Sequence, residues 1–227
     1  MLCLNRFGRS LIGLTLLALG ATSCFDDDAD EVLGPRPIDG IFASYVALGN
    51  SITAGFQSSG ISDATQRQSF AFLLAQQMNT RYMYASLRSP GCPPPIINFQ
   101  TQARPTGTTG TTCALRDSTR LTDILTNVAV PGHTSFDPTD EDGAATPNPL
   151  TSFILGGETQ VEKALKANPT FASIWIGNND VLGFAVGNGT TAALAGMTSA
   201  AQFQTNYTAM LNQLTAGAPG IRGVLVG

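Results

Sequence analysis

Residues 171–176, Phe-Ala-Ser-Ile-Trp-Ile, carry no charge, and Ser173 is the only aliphatic hydroxyl among them. A short run that is apolar at nearly every position, rather than at every second one, fits a strand covered on both faces. It ends at Gly177-Asn178-Asn179-Asp180. Two other segments have the same form. A strand candidate at residues 42–48 ends at Gly49-Asn50-Ser51, and residues 121–130 contain a second that ends at Pro131-Gly132. Between them lie helical periodicities. Residues 69–78 place Phe70, Leu73, Leu74 and Met78 at helical spacing. Residues 158–166 set Val161, Ala164 and Leu165 on one side, with Lys163 and Lys166 near the C-terminal end and Asn168-Pro169 as the stop. Residues 200–214 stripe Phe203, Tyr207, Met210, Leu211 and Leu214, and residues 221–226 begin a last strand. Trp175 reads as core. Strands alternating with helices predict a parallel sheet in a three-layer α/β/α, doubly wound fold. Sites in such folds lie at the carboxyl ends of the strands.

The first residues do not belong to that core. Arg6 and Arg9 form a basic region and residues 11–21 an apolar one, too short to span a bilayer. Ala21-Thr22-Ser23-Cys24 resembles a bacterial lipoprotein processing site, although Ala21 stands where Leu is usual. The expected division is therefore a signal peptide at 1–23, an acidic flexible tether at 24–40 and one domain at 41–227. Cys24 would be lipidated and anchor the protein to a membrane of the cell envelope. An ordinary secretory signal, which would release the protein, is the alternative. Loss of Arg6 and Arg9 leaves 10 bases against 16 acids, so the charge moves from −4 to −6. No basic patch remains for nucleic acid. The tether aspartates lack the fixed geometry that calcium requires.

Cys92 and Cys113 bracket a Pro/Thr/Gly-rich loop at 88–120. In an exported chain they read as a disulfide, with two free thiols as the alternative. A second acidic, Pro-rich loop spans 137–149. Its Asp140-Glu141-Asp142-Gly143 fails as a calcium loop because Pro138 and Pro149 occupy ligand positions. Residues 183–197 read as a small-residue loop. No metal site is expected.

The three strand-end motifs supply one chemistry. Ser51, at a strand-to-turn junction, is a nucleophile candidate whose own N–H can face a substrate. Gly132 lets its N–H approach an oxyanion closely, and Asn179 can offer a side-chain amide. Donors arranged around a developing negative oxygen are usually the largest catalytic contribution.

These residues also carry a resemblance. Tyr45-Val46-Ala47-Leu48-Gly49-Asn50-Ser51-Ile52-Thr53-Ala54-Gly55 resembles the first sequence block of the SGNH hydrolases, also called GDSL-type esterases and lipases. Asn127-Val128-Ala129-Val130-Pro131-Gly132 resembles their second block, and Gly177-Asn178-Asn179-Asp180 their third. The resemblance implies a flavodoxin-like SGNH fold and a serine ester hydrolase that needs no cofactor. It implies Ser51 as nucleophile, an oxyanion hole from Ser51, Gly132 and Asn179, and lipid, acyl-sugar or other carboxylic esters as substrates. Asn50 stands where the family carries Asp and is a candidate to line the substrate, though it is expected to orient the turn more than to do chemistry. The family's base comes from a C-terminal Asp-x-x-His block, which these 227 residues do not contain. The domain is therefore expected to be incomplete at its C-terminus. A non-catalytic surface lipoprotein or inactive fragment is the alternative. His133, the single histidine, is expected to line the site or contact substrate rather than act as base. Asp180 is expected to brace the Asn179 turn beside the substrate.

Overall fold

Tyr45–Gly49 (β1) is buried at every position. Phe171–Trp175 (β2) pairs with it in parallel, Gly49 opposite Trp175, and Arg222–Leu225 (β3) pairs in parallel with β2. On the other side of β1 runs the chain around Asn127, with the chain around Tyr84 beyond it, each through a parallel bridge. Val128 and Val130 donate to the carbonyls of Ala47 and Gly49. The segment that carries the second motif, bridged to β1 but not a regular strand, therefore ends level with β1. These features come from a computed structural model, which describes residues 36–105, 109–116, 124–140, 149–186 and 196–227. Residues 37–227 form one compact unit. Arg6, Arg9, Cys24 and the acidic tether as far as residue 35 lie outside the described residues. Among the described residues no helix is long and apolar enough to cross a membrane.

Helices cover both faces of the sheet. They are Ser51–Ala54 (α1), Asp63–Gln66 (α2), Phe70–Gln77 (α3), Pro149–Leu155 (α4), Gln160–Leu165 (α5), Asn178–Val186 (α6) and Ala200–Gly217 (α7). Alternation along β1 divides the core. Val46 and Leu48 join Ala172 and Ile174 of β2, Val161 and Ala164 of α5, and Met210 and Leu214 of α7. Tyr45 and Ala47 face the other way, against Ala71 and Ala75 of α3 and the adjoining Met78. This is the three-layer α/β/α arrangement that alternating strands and helices require.

Several elements depart from the sequence reading. The first strand starts at Tyr45, because Asp39 caps a 3-10 turn at Gly40–Phe42 by accepting from the Ile41 N–H at 2.8 Å. In α3 the buried face is Ala71 and Ala75, and Leu73 is 50% exposed. Small side chains let that helix lie close to β1. The stretch read as a small-residue loop from 183 begins inside α6, which runs to Val186. Gly183 is unfavourable in a helix interior and hid this extension. α1, α2 and α4 are each short and were not legible as helices.

Side-chain caps fix three of these helices. Ser69, Thr159 and Ser199 accept from backbone N–H groups at the starts of α3, α5 and α7. Thr159 and Glu162 form a reciprocal capping box. The Cys92–Cys113 disulfide is formed. Its loop is stitched to residues 58–61 through Ile61 N–H to the Pro93 carbonyl, Cys92 N–H to that of Ile61 and Ile96 N–H to that of Ser58.

Candidate active site

The three motifs meet at the carboxyl ends of adjacent strands. β1 closes on Gly49, whose added Cβ would collide with the Trp175 carbonyl oxygen and Thr53 Oγ1. Only glycine lets the two strand ends lie this close. Asn50 follows, 1% exposed, and caps α1 by accepting from the Ile52 N–H at 3.2 Å. Ser51 is thereby the first residue of α1. Its N–H belongs to the first-turn donors that have no partner inside a helix. Among the described residues no side chain hydrogen-bonds the Ser51 hydroxyl.

The second motif is a tight turn. The His133 N–H donates to the Val130 carbonyl at 3.2 Å, and Gly132, between them, has φ 91°. Pro131 followed by a glycine of positive φ is the pattern of a type II turn. The closing bond uses the His133 N–H and leaves that of Gly132 to face outward, on an exposed residue. The third motif begins with Gly177 at φ 124° and enters α6 at once.

Side chains tie the motifs together in pairs. Asn50 Nδ2 donates to Asn178 Oδ1 at 2.9 Å, joining the first and third. Asn179 Nδ2 donates to the His133 carbonyl at 2.8 Å, joining the third and second. That bond uses one amide hydrogen and leaves the other for a ligand. Asn127 Nδ2 donates to the Thr53 carbonyl at 3.1 Å, joining the second and first. Below the turn, Asp180 accepts from the Ser135 N–H at 2.8 Å and from Ser135 Oγ at 2.6 Å. Asn206 of α7 donates to that same Oγ at 3.0 Å. Ser135, Asp180 and Asn206 are all buried, so the loop after Gly132 is held by a satisfied polar network. Tyr207 closes the floor by donating to the Ile176 carbonyl at 2.7 Å, and burial pushes its hydroxyl pKa up.

A family model described as GDSL-like lipase/acylhydrolase matches residues 45–226. The chain belongs to that family. A GDSL-like acylhydrolase is an ester-hydrolysing enzyme, and small-molecule esters are its substrates. Comparison with curated proteins and with solved structures gives no match.

Against the GDSL pattern, Asn50 makes a bond that an ionised Asp could not, since its amide donates to Asn178 while its carbonyl oxygen caps α1. Asn50 supports the turn from beneath, and its buried side chain does not line the cleft. Asp180 is likewise buried and braces the Ser135 loop rather than meeting substrate.

His133 differs most from expectation. Its ring is 0% exposed and points into the core. Nδ1 lies 2.8 Å from Gln160 Nε2, and Nε2 lies 3.1 Å from Thr151 Oγ1. Gln160 Oε1 accepts the Gly49 N–H at 3.0 Å, which fixes its other terminal atom as the donor. Nδ1 is therefore the acceptor, and the ring is the neutral Nε2–H tautomer, assigned from this network. Burial lowers the His133 pKa, against the opposing pull of Asp137 and Asp140. A neutral, enclosed imidazole with both nitrogens engaged is not a base for Ser51. His133 serves the site through its backbone carbonyl, which anchors Asn179.

Gln160, Ser135, Thr151 and Asn206 escaped the sequence reading, and Asn178 was named in its motif without a role. Gln160 carried one usable signal, since it lies one helical turn before Ala164 on the apolar side of α5. A buried polar side chain on such a face needs partners.

Proposed function

We propose that this GDSL-like acylhydrolase acts through an acyl-enzyme, with Ser51 as the nucleophile. The Ser51 hydroxyl oxygen bonds to the ester carbonyl carbon, and its proton passes to a base. The carbonyl oxygen takes the negative charge and is met by the N–H groups of Ser51 and Gly132 and the second amide hydrogen of Asn179. Collapse breaks the carbon–oxygen bond to the alcohol, which leaves with a proton. Water then attacks the acyl group and frees Ser51. The observation that carries this reading is the pairwise bonding of the three motifs around one point, Asn50 to Asn178, Asn179 to His133 and Asn127 to Thr53.

His133 is committed elsewhere, so the base is proposed to be the histidine of the family's Asp-x-x-His block. Carboxylic esters of lipids or acylated sugars are the proposed substrates, in a protein exported to the bacterial cell envelope and anchored through lipidated Cys24. The enclosure of His133 also favours a second reading, in which the fold binds esters at the cell surface without turning them over. Release of p-nitrophenol from short acyl esters separates the two. Catalysis predicts that Ser51→Ala abolishes it and that Asn179→Ala lowers kcat by about 10²–10³, the usual cost of one oxyanion donor. No release above background by the parent would leave only the binding reading, and equal rates above background in Ser51→Ala and parent would remove Ser51 as the nucleophile.

A further inference from the structure

Gln160 lies outside all three motifs, yet it grips two of them. It opens α5 directly after the Thr159 cap and is 0% exposed. Oε1 accepts the Gly49 N–H at 3.0 Å. Nε2 donates to the Gly49 carbonyl at 3.1 Å and to His133 Nδ1 at 2.8 Å. One acceptor and both amide hydrogens are used, so the side chain is saturated in a single orientation. At one end it meets the last residue of β1, two before Ser51. At the other it meets the residue that closes the turn carrying Gly132. Thr151 of α4 holds the far side of the same imidazole, so the ring is fixed from two helices.

We propose that Gln160 is a positioning residue for ester hydrolysis, setting the nucleophile turn and the oxyanion turn at a fixed separation through its bonds to Gly49 and His133. A position wanted only for packing would take Leu or Met. An amide costs free energy there unless every polar atom is paired, and each one is. Gly49 offers both its N–H and its carbonyl to this one side chain. The Gly49 carbonyl also accepts from the Val130 N–H at 3.1 Å. The amide thus sits at the junction where the first and second motifs already meet. Removing it frees the His133 ring to turn and with it the turn that presents Gly132. This proposal rests on the roles assigned above to Ser51 and Gly132.

The test is the kinetics of p-nitrophenyl butyrate hydrolysis by the full chain and by Gln160→Met, Gln160→Glu and Ser51→Ala. An inactive Ser51→Ala shows that the rate being read is the Ser51 reaction. Gln160→Met then loses about 10–100-fold in kcat with KM changed less than about twofold, as misplacement of reacting groups by about 1 Å does. Gln160→Glu is nearly isosteric. Its ionised carboxylate would face the Gly49 carbonyl and the Nδ1 lone pair, so the site works only when it holds an extra proton. Its kcat therefore falls with rising pH along a limb absent from the parent. Retention of kcat within about twofold in Gln160→Met, beside an inactive Ser51→Ala, overturns the positioning role. If Gln160→Met does not fold, Gln160→Glu decides, and a pH profile like the parent's overturns it. A Ser51→Ala protein as fast as the parent removes the assignment of Ser51, and this proposal falls with it. That failure is distinct because it shows without any Gln160 variant.

Discussion

His133 is fully buried, with both ring nitrogens bonded to side chains of neighbouring helices. It follows Gly132, which suggested a side chain in the cleft. The type II turn instead sends its ring inward and keeps its carbonyl at the site. A sequence names the turn residues but not the partners that await them, here Gln160 and Thr151 from two different helices. The neutral ring has a thermodynamic consequence. The folded state holds the His133 pKa below its ordinary 6.5. The unfolded chain therefore binds a proton first as pH falls. Stability is full above about pH 6.5 and declines below it until the folded pKa is reached, with a slope of at most about 1.4 kcal/mol per pH unit. Urea unfolding between pH 5 and 8 checks this, and Gln in place of His133 should remove that component. Asn50 belongs at the same scale. Asn50→Ala loses the α1 cap and should lower the unfolding free energy by about 1 kcal/mol. Asn50→Asp keeps the cap acceptor, so its unfolding midpoint should stay nearer the parent's.

At the scale of elements, strands were more legible than the faces of helices. β2 was visible because a doubly covered strand cannot hide its composition. β1 was visible through the glycine that ends it, whereas the second strand expected in 121–130 forms only isolated bridges at Asn127 among the described residues. α7 was legible as a stripe, and Met210 and Leu214 are its buried apolar residues. α3 was legible as a helix but not in its facing. Ala71 and Ala75 meet β1, and the bulkier Leu73 stands half exposed, since close approach to Tyr45 and Ala47 favours small side chains. Hydrophobicity ranks leucine above alanine, whereas the space beside β1 ranks them the other way. Leu73→Ala should therefore cost well under the 2–5 kcal/mol that Met210→Ala costs by opening a cavity between α7 and the sheet. Paired thermal melts of the two variants measure the difference.

At the scale of the molecule, the parallel order, with Asn127 beside β1 and β1 beside β2, brings the three motifs to one edge. That convergence was foreseeable, because an α/β sheet gathers its strand ends. The bonds between motifs were not, since each joins residues far apart in sequence, such as Asn50 and Asn178. Backbone bonds to residues 58–61 hold the 88–105 region to the body, and the Cys92–Cys113 link closes a loop with a sequence separation of 21. Reducing it should lower stability by about 3 kcal/mol, read as a fall in Tm on adding dithiothreitol. The central claim is that the converged motifs make Ser51 an acyl acceptor. It is tested most directly by peptide mass spectrometry of the full chain after incubation with p-nitrophenyl acetate. The account predicts an acetyl group on Ser51 that is absent from Ser51→Ala and diminished in Asn179→Ala. Acetylation that bypasses Ser51 and is unchanged in both variants would contradict it.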